Sequence, residues 1–155
     1  MSMTDAQAAQ AIKAHHTEMR NELRRRVDAL EETVRSGAGY EHAHSDVLDY
    51  LEGELLPHAQ AEEKALYPAG DTGPSALLVR SMREEHRTII GRVAALRNAS
   101  DAVAAAMGAS AVLALFESHL WKENELLIPN LVADPDVAMA ELLAGMHELI
   151  GEPTA

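Results

Sequence analysis

The sequence predicts an all-α protein: an up-down-up-down four-helix bundle with a short additional C-terminal helix. Three observations carry this. Apolar residues recur at three- and four-residue spacing along four stretches of roughly 25 residues. The links between them are short and hold Gly, Pro, Asp, Asn and Ser. Strand-like alternation occurs nowhere, and a chain of 155 residues makes one ordinary domain spanning 1–155.

The elements follow in order. Thr4 and Gln7 have capping-box spacing, and Ile12, His16, Met19, Leu23, Val27, Leu30 and Val34 mark a first helix that ends at "SGAG", residues 36–39. A second helix runs from about Tyr40 to Leu66 and stops near Pro68. After "AGDTGP" a third carries Leu78, Met82, His86, Ile89, Val93 and Leu96. Ser100 is the expected N-cap of a fourth, from about Asp101 to Ile128. The bundle thus spans about 4–130. Asp134-Pro135, an N-cap followed by proline at the first helical position, predicts a fifth helix over about 135–150. Pro57 falls inside the second helix, where it predicts either a kink that tilts His58 or a restart of the helix.

Composition narrows the function classes. No cysteine is present, so disulfides, thiolate metal sites and cysteine nucleophiles are excluded. With 13 basic and 25 acidic residues the formal charge is −12, which speaks against nucleic acid or an anionic membrane as partner. The N-terminus lacks the basic and apolar regions of a secretory signal. The longest uncharged run, Ala102 to Phe116, is shorter than the ~18 residues of a membrane span. A cytoplasmic protein is expected.

The second helix poses the chemical question. Val47, Leu51, Leu55, His58, Glu62 and Leu66 share one stripe, so an imidazole and a carboxylate stand where apolar residues belong. An internal repeat sharpens this. "HAQAEEKALYP" (58–68) and "HLWKENELLIP" (119–129) share His, Glu four later, Leu eight later and Pro ten later. Likewise "AHHTEM" (14–19) aligns with "EEHRTI" (84–89), setting His16 against His86. Two helical hairpins result, each with one lone His and one His-x-x-x-Glu. Packed face to face, they converge His16, His58, Glu62, His86, His119 and Glu123 in one core. Two buried carboxylates need compensating cations, and no Lys or Arg lies on these stripes at that level. A metal supplies the charge. Residues four apart on a helix stack ~6 Å along its axis, so each His-x-x-x-Glu can chelate from its side. Four imidazoles suit two transition-metal ions, with both carboxylates free to bridge; nitrogen and oxygen ligands suit Fe, Mn, Zn or Cu.

This pattern, His16, His58-x-x-x-Glu62, His86, His119-x-x-x-Glu123, with "LYP" and "LIP" after the ligand pairs, resembles the hemerythrin-like HHE cation-binding family over about 10–130. The resemblance implies two Fe ions in a non-haem di-iron centre, bridged by the two Glu carboxylates and by an oxo or hydroxo group. The partners it implies are small molecules: O2, H2O2 or NO. The chain departs from the oxygen-carrying members in two places. They have a fifth histidine four residues after the third, where this chain has Ile90, and they end in His-x-x-x-x-Asp, where this chain has Glu123 at plus four and Asn124 at plus five. One ligand fewer predicts an open position flanked by apolar Ile90. That favours redox chemistry on small oxidants, catalase-like with hydrogen peroxide, over reversible oxygen storage. The alternatives are a non-catalytic oxygen- or iron-binding sensing module and a bundle holding structural zinc.

The remaining candidates have plainer readings. His15 aligns with Glu85 and is expected beside the centre or exposed; Glu63, which aligns with Asn124, is expected solvated or just outside it. Tyr67 aligns with Ile128 and is expected to pack in the core or at its rim. His42, His44 and His147 are expected at the surface, and Met107 and Trp121 in packing.

Overall fold

The computed structural model describes residues 1–151, and no strand occurs among them. The helical segments join into five rods. The first is α1 (Asp5–Arg35), opened by the predicted box: the Thr4 side chain accepts from the Gln7 N–H at 3.2 Å, and the Gln7 side chain accepts from the Thr4 N–H at 2.9 Å. It ends at Ser36, where Gly37 takes the left-handed conformation (φ 73°) that turns the chain back.

The second rod contains α2 (Glu41–Tyr50), a π turn (Leu51–Leu55), α3 (Leu56–Ala61), a second π turn (Glu62–Leu66) and a 3-10 turn (Tyr67–Gly70). α4 (Ala76–Arg97) is the third. The fourth joins α5 (Ala102–Lys122), a third π turn (Glu123–Leu127) and α6 (Ile128–Ala133); α7 (Met139–Ile150) is the fifth.

Proline placement accounts for the π turns. Each ends two residues before a proline, Pro57, Pro68 or Pro129. In a regular helix that proline would lack its N–H and crowd the carbonyl four residues back. Wider winding takes up one residue: the N–H groups of Leu56, Tyr67 and Ile128 reach back to the carbonyls of Leu51, Glu62 and Glu123. The proline then falls in the first turn of the next segment, where no N–H is required. Pro57 therefore marks a restart. Pro129 does not stop the fourth rod, which continues to Ala133 instead of ending near Ile128.

Three other terminal expectations are corrected. Asp101, not Ser100, caps α5, accepting from the Ala104 N–H at 2.8 Å. Asp134-Pro135 does not start a helix: Asp134 accepts from the Asp136 N–H at 2.9 Å and closes a local turn. α7 begins at Met139, and its Ala140 N–H is met by Asp5 of α1 at 3.3 Å. Val79, not Leu78, is the fully buried residue at the start of α4.

The apolar core is divided. One cluster includes Leu23, Val27, Leu51, Val93 and Val112; the other includes Ile12, Leu66, Met82, Leu131 and Met146. Between them, at one level, lie the buried polar residues His16, His58, Glu62, His86, His119 and Glu123. The rod Ala102–Ala133 has the length and apolar composition to cross a membrane. It carries His119 and Glu123 and packs on α1 and α4, as a core helix of the bundle does. Met107 and Trp121 are exposed, so neither contributes to packing as expected.

Candidate metal centre

The π turns position the site. Two of them begin at Glu62 and Glu123, directly after the helical turns that carry His58 and His119. The imidazoles pair within hairpins: His16 Nε2 and His58 Nε2 are 3.3 Å apart, and His86 Nε2 and His119 Nε2 are 3.0 Å apart. The carboxylates reach across. Glu62 Oε2 lies 3.4 Å from both His16 Nε2 and His58 Nε2, while its Oε1 lies 3.6 Å from His86 Nε2. Glu123 Oε2 is 3.6 Å from His119 Nε2 and 3.8 Å from His16 Nε2. Two tight groups of candidate ligand atoms result, His16–His58–Glu62 and Glu62–His86–His119, with Glu62 in both.

Outer groups turn the rings inward. His16 Nδ1 meets Asn124 Oδ1 at 2.7 Å, His86 Nδ1 meets Glu63 at 3.0 Å, and His119 Nδ1 meets Glu85 at 3.0 Å. Each bond fixes a ring orientation and places the proton on Nδ1, leaving the Nε2 lone pair for the centre. Lys122 pairs with the far oxygen of Glu85. His58 Nδ1 is buried without a partner, and the His15 ring lies 5.2 Å from the His58 ring.

Tyr67 completes the group. It is fully buried, its hydroxyl donates to Glu123 Oε1 at 3.0 Å, and the hydroxyl oxygen itself lies 3.2 Å from His86 Nε2 and 3.1 Å from His119 Nε2. The expectation of core packing was right about burial and missed the hydroxyl. The widened turn from Glu62 to Leu66 carries the following residue onto the polar layer.

Charge in this layer is frustrated. Burial pushes the Glu123 carboxyl well above the usual carboxylate range, and the Glu62 charge pushes it further. Burial acts on Glu62 in the same sense, but the His58 charge and the polar groups of Glu123, His16 and His58 around it outweigh burial, holding Glu62 well below that range. Burial, then the Glu123 and Glu62 charges, raise the Tyr67 phenol well above its ordinary value. Burial lowers His119; at His86 it is outweighed by Glu62 and Glu63, which raise that imidazole. Burial and then His58 lower His15.

The donor set fits a cation. Glu62 Oε2 and Glu123 Oε2 are buried with no hydrogen-bond partner, a costly state for carboxylate oxygens unless positive charge meets them. Imidazole nitrogens and carboxylate oxygens without sulfur are ligand chemistry that could hold a transition-metal ion.

The sequence profile of the hemerythrin HHE cation-binding domain matches residues 7–131. This chain belongs to the hemerythrin HHE cation-binding family. Comparisons with curated proteins and with solved structures each return no match. The matched hemerythrin segment contains all six predicted residues and ends within α6.

Other predicted positions separate. His42 is exposed, while His44 is half-buried and bonds the Leu96 carbonyl at 2.7 Å, tying α2 to the end of α4. His147 is half-buried, facing a groove shared with His15. Ile90 is 48% exposed and does not flank the centre. Ile89 does, bordering with Leu55 and Phe116 a cavity of about 10 Å³ beside His58, Glu62 and His86. Glu85 and Asn124 are outer partners to which the sequence reading gave no role at the centre. Their signal was available: each is a polar residue adjacent to a candidate ligand on the same helix.

Proposed function

We propose that His16, His58, Glu62, His86, His119 and Glu123 hold two iron ions, and that the loaded protein disproportionates hydrogen peroxide. The observation that supports this best is the enclosed layer itself: six inward-facing donors, two carboxylate oxygens without protein partners, and an adjoining cavity about the size of one water. A space that holds about one water admits only small molecules. His16 with His58 and His86 with His119 would each hold one ion, with the Glu62 and Glu123 carboxylates lying between the two pairs.

When bound, an iron pair supplies two-electron redox capacity, so that one peroxide is oxidised to oxygen and a second is reduced to water: two H2O2 give O2 and two H2O. The protein's part is to exclude bulk water and handle protons. Leu55, Ile89 and Phe116 keep the cavity apolar on one side. Peroxide oxidation releases two protons and peroxide reduction takes up two, so a proton store beside the site spares exchange with solvent. The Glu123 carboxylate is suited to this, with the Tyr67 hydroxyl donating to its Oε1 and so positioning it. Glu63 and Glu85 link the far nitrogens of His86 and His119 toward the surface.

The test is to load the purified chain with ferrous iron, count metal per chain, and follow peroxide with an oxygen electrode. The expected result is two irons per chain, oxygen release in half the molar amount of peroxide consumed, and loss of both in His58→Ala. Iron loading with reversible oxygen binding and no oxygen release from peroxide would replace this reading with the non-catalytic one. Tetrahedral zinc with no iron uptake would leave only a structural site.

A further inference from the structure

The two hairpins repeat, and so do the places their outer groups occupy. Glu63 and Asn124 are repeat mates, serving His86 and His16. By the same relation the mate of Glu85, which holds His119 Nδ1, is His15, and the ring it should serve is His58. A histidine is no substitute for a carboxylate there. His58 is 4% exposed, its Nδ1 has no partner, and it is the only one of the four imidazoles left so.

At that place the protein has a groove of about 680 Å³ between α1, α3 and α7. Its walls near His58 are His15 and Pro57; its apolar floor includes Ile12, Met19, Leu143 and Met146, and His147 stands on the far side. The volume lies in the range of pockets that take small organic ligands, roughly 300–1,000 Å³. Two carboxylates border it, Glu18 and Glu54. Both are exposed, and the Glu18 side chain, 81% exposed, lies 3.9 Å from His15. Their repulsion is screened by water and salt.

We propose that this groove binds a small organic carboxylate with an apolar body, whose carboxylate accepts from His58 Nδ1, an atom closed to solvent until the neighbouring His15 side chain turns, as Glu85 accepts from His119 Nδ1. The proposal rests on the metal reading, since a metal on Nε2 leaves His58 with its proton on Nδ1 and thus a buried donor lacking an acceptor. The His15 imidazole supplies a second donor to the same headgroup, and Met19, Leu143 and Met146 receive the chain. Methionine-rich walls accommodate bodies of varied shape. The ligand would act on the centre through His58, as Glu85 acts through His119.

Octanoate is the probe and octanol its neutral counterpart, measured by calorimetry on the iron-loaded chain with iron assayed in the same sample. Octanoate should bind one per chain, tighten about fourfold for each added methylene until the groove is full, and bind at least about tenfold more tightly than octanol. His15→Glu restores the carboxylate that the repeat carries at Glu85. It should abolish octanoate binding while iron content stays at the wild-type level. Leu143→Trp, which fills the floor away from the centre, should do the same. Equal binding of octanoate and octanol, unchanged octanoate binding in His15→Glu, or no saturable binding to an iron-replete chain would overturn the proposal while leaving the metal reading intact. A chain that takes up no iron sinks the metal reading. On that chain, His15→Glu-sensitive octanoate binding would still uphold the groove, and its absence would overturn it.

Discussion

The two hairpins agree wherever a side chain points at the centre and disagree one step away from it. His16 and His86, His58 and His119, and Glu62 and Glu123 are matched in type, burial and place. Around them the pairs diverge: Glu63 against Asn124, Glu85 against His15, Tyr67 against Ile128. Under the proposed reading the inner six share one task, meeting cations in a buried layer, and a mismatch there would strand a charge. The outer partners only orient rings and adjust their charge, which can be done differently in each half. The second hairpin's imidazoles lean on two carboxylates and a phenol; the first hairpin's have an amide and an open groove. Equal inner residues thus sit in unequal surroundings.

The sharpest test of the matched inner set is deletion of each carboxylate. Glu62→Ala and Glu123→Ala should each lose at least about one equivalent of iron. The Glu62 variant should lose more, because that carboxylate lies within 3.6 Å of three imidazoles. Metal analysis of both variants decides this, and full retention in either breaks the equivalence of the halves. His42→Ala, on the exposed start of α2, should retain both irons.

Metal removal should have the next largest effect. Uncompensated buried charge costs about 3–5 kcal/mol, or a melting point lower by roughly 6–20 °C for a chain of this size. The pH dependence has a definite sign. Glu123 has a folded pKa above its unfolded value, so its contribution to the stripped protein is fully present below the ordinary carboxylate range and is lost as pH rises through the elevated pKa. Taken as the difference between wild type and Glu123→Gln, the melting point of the stripped chain should therefore fall from mildly acidic toward alkaline pH. Calorimetry of both chains across pH checks it. For the loaded chain the order reverses, since acid protonates the imidazoles and releases iron.

Smaller effects distinguish the repeat mates Tyr67 and Ile128. Tyr67→Phe leaves Glu123 Oε1 without its donor and should cost about 1–3 kcal/mol. Ile128→Val removes one buried methylene and should cost about 0.5–1.5 kcal/mol. Chemical denaturation of the stripped forms measures both, and equal losses would deny the hydroxyl a special place. Least of all should Glu22→Gln matter. Hydrogen bonds from Arg25 and Arg26 hold Glu22 down to about 2; with a depressed pKa, its contribution is present above the unfolded value near pH 4.5 and is lost as pH falls toward 2. Water and salt screen this surface cluster to well under about 1 kcal/mol. A denaturant series at pH 6 and pH 3 should show only a few tenths of a kcal/mol between wild type and variant.

The stripe through Val47, Leu51, Leu55, His58, Glu62 and Leu66 was legible because every member is buried on one face. The inner six were legible because polar residues on apolar stripes, twice in register, leave few alternatives. Tyr67 was not, because regular winding puts it off the stripe and only the π turn brings its hydroxyl to Glu123. That turn had a sign in the prolines ten residues after each His, seen as part of the repeat but not as the cause of wider winding. Asp134-Pro135 misled because the pair serves a turn as readily as a helix start. Ile90 misled because four residues along a helix overshoots a full turn, and the cavity wall fell to Ile89.

The polar layer between the two apolar clusters leaves the bundle without a continuous dry spine. Each end has its own cooperative core, one around Leu23, Leu51 and Val93, the other around Ile12, Met82 and Met146. Among the described residues, the buried polar layer lies between them. In the stripped chain, amide hydrogens at the two ends should exchange as two separate units, with the boundary near His16 in α1 and His86 in α4. A bound cation pair would act as a rivet across that boundary and merge the two exchange rates into one.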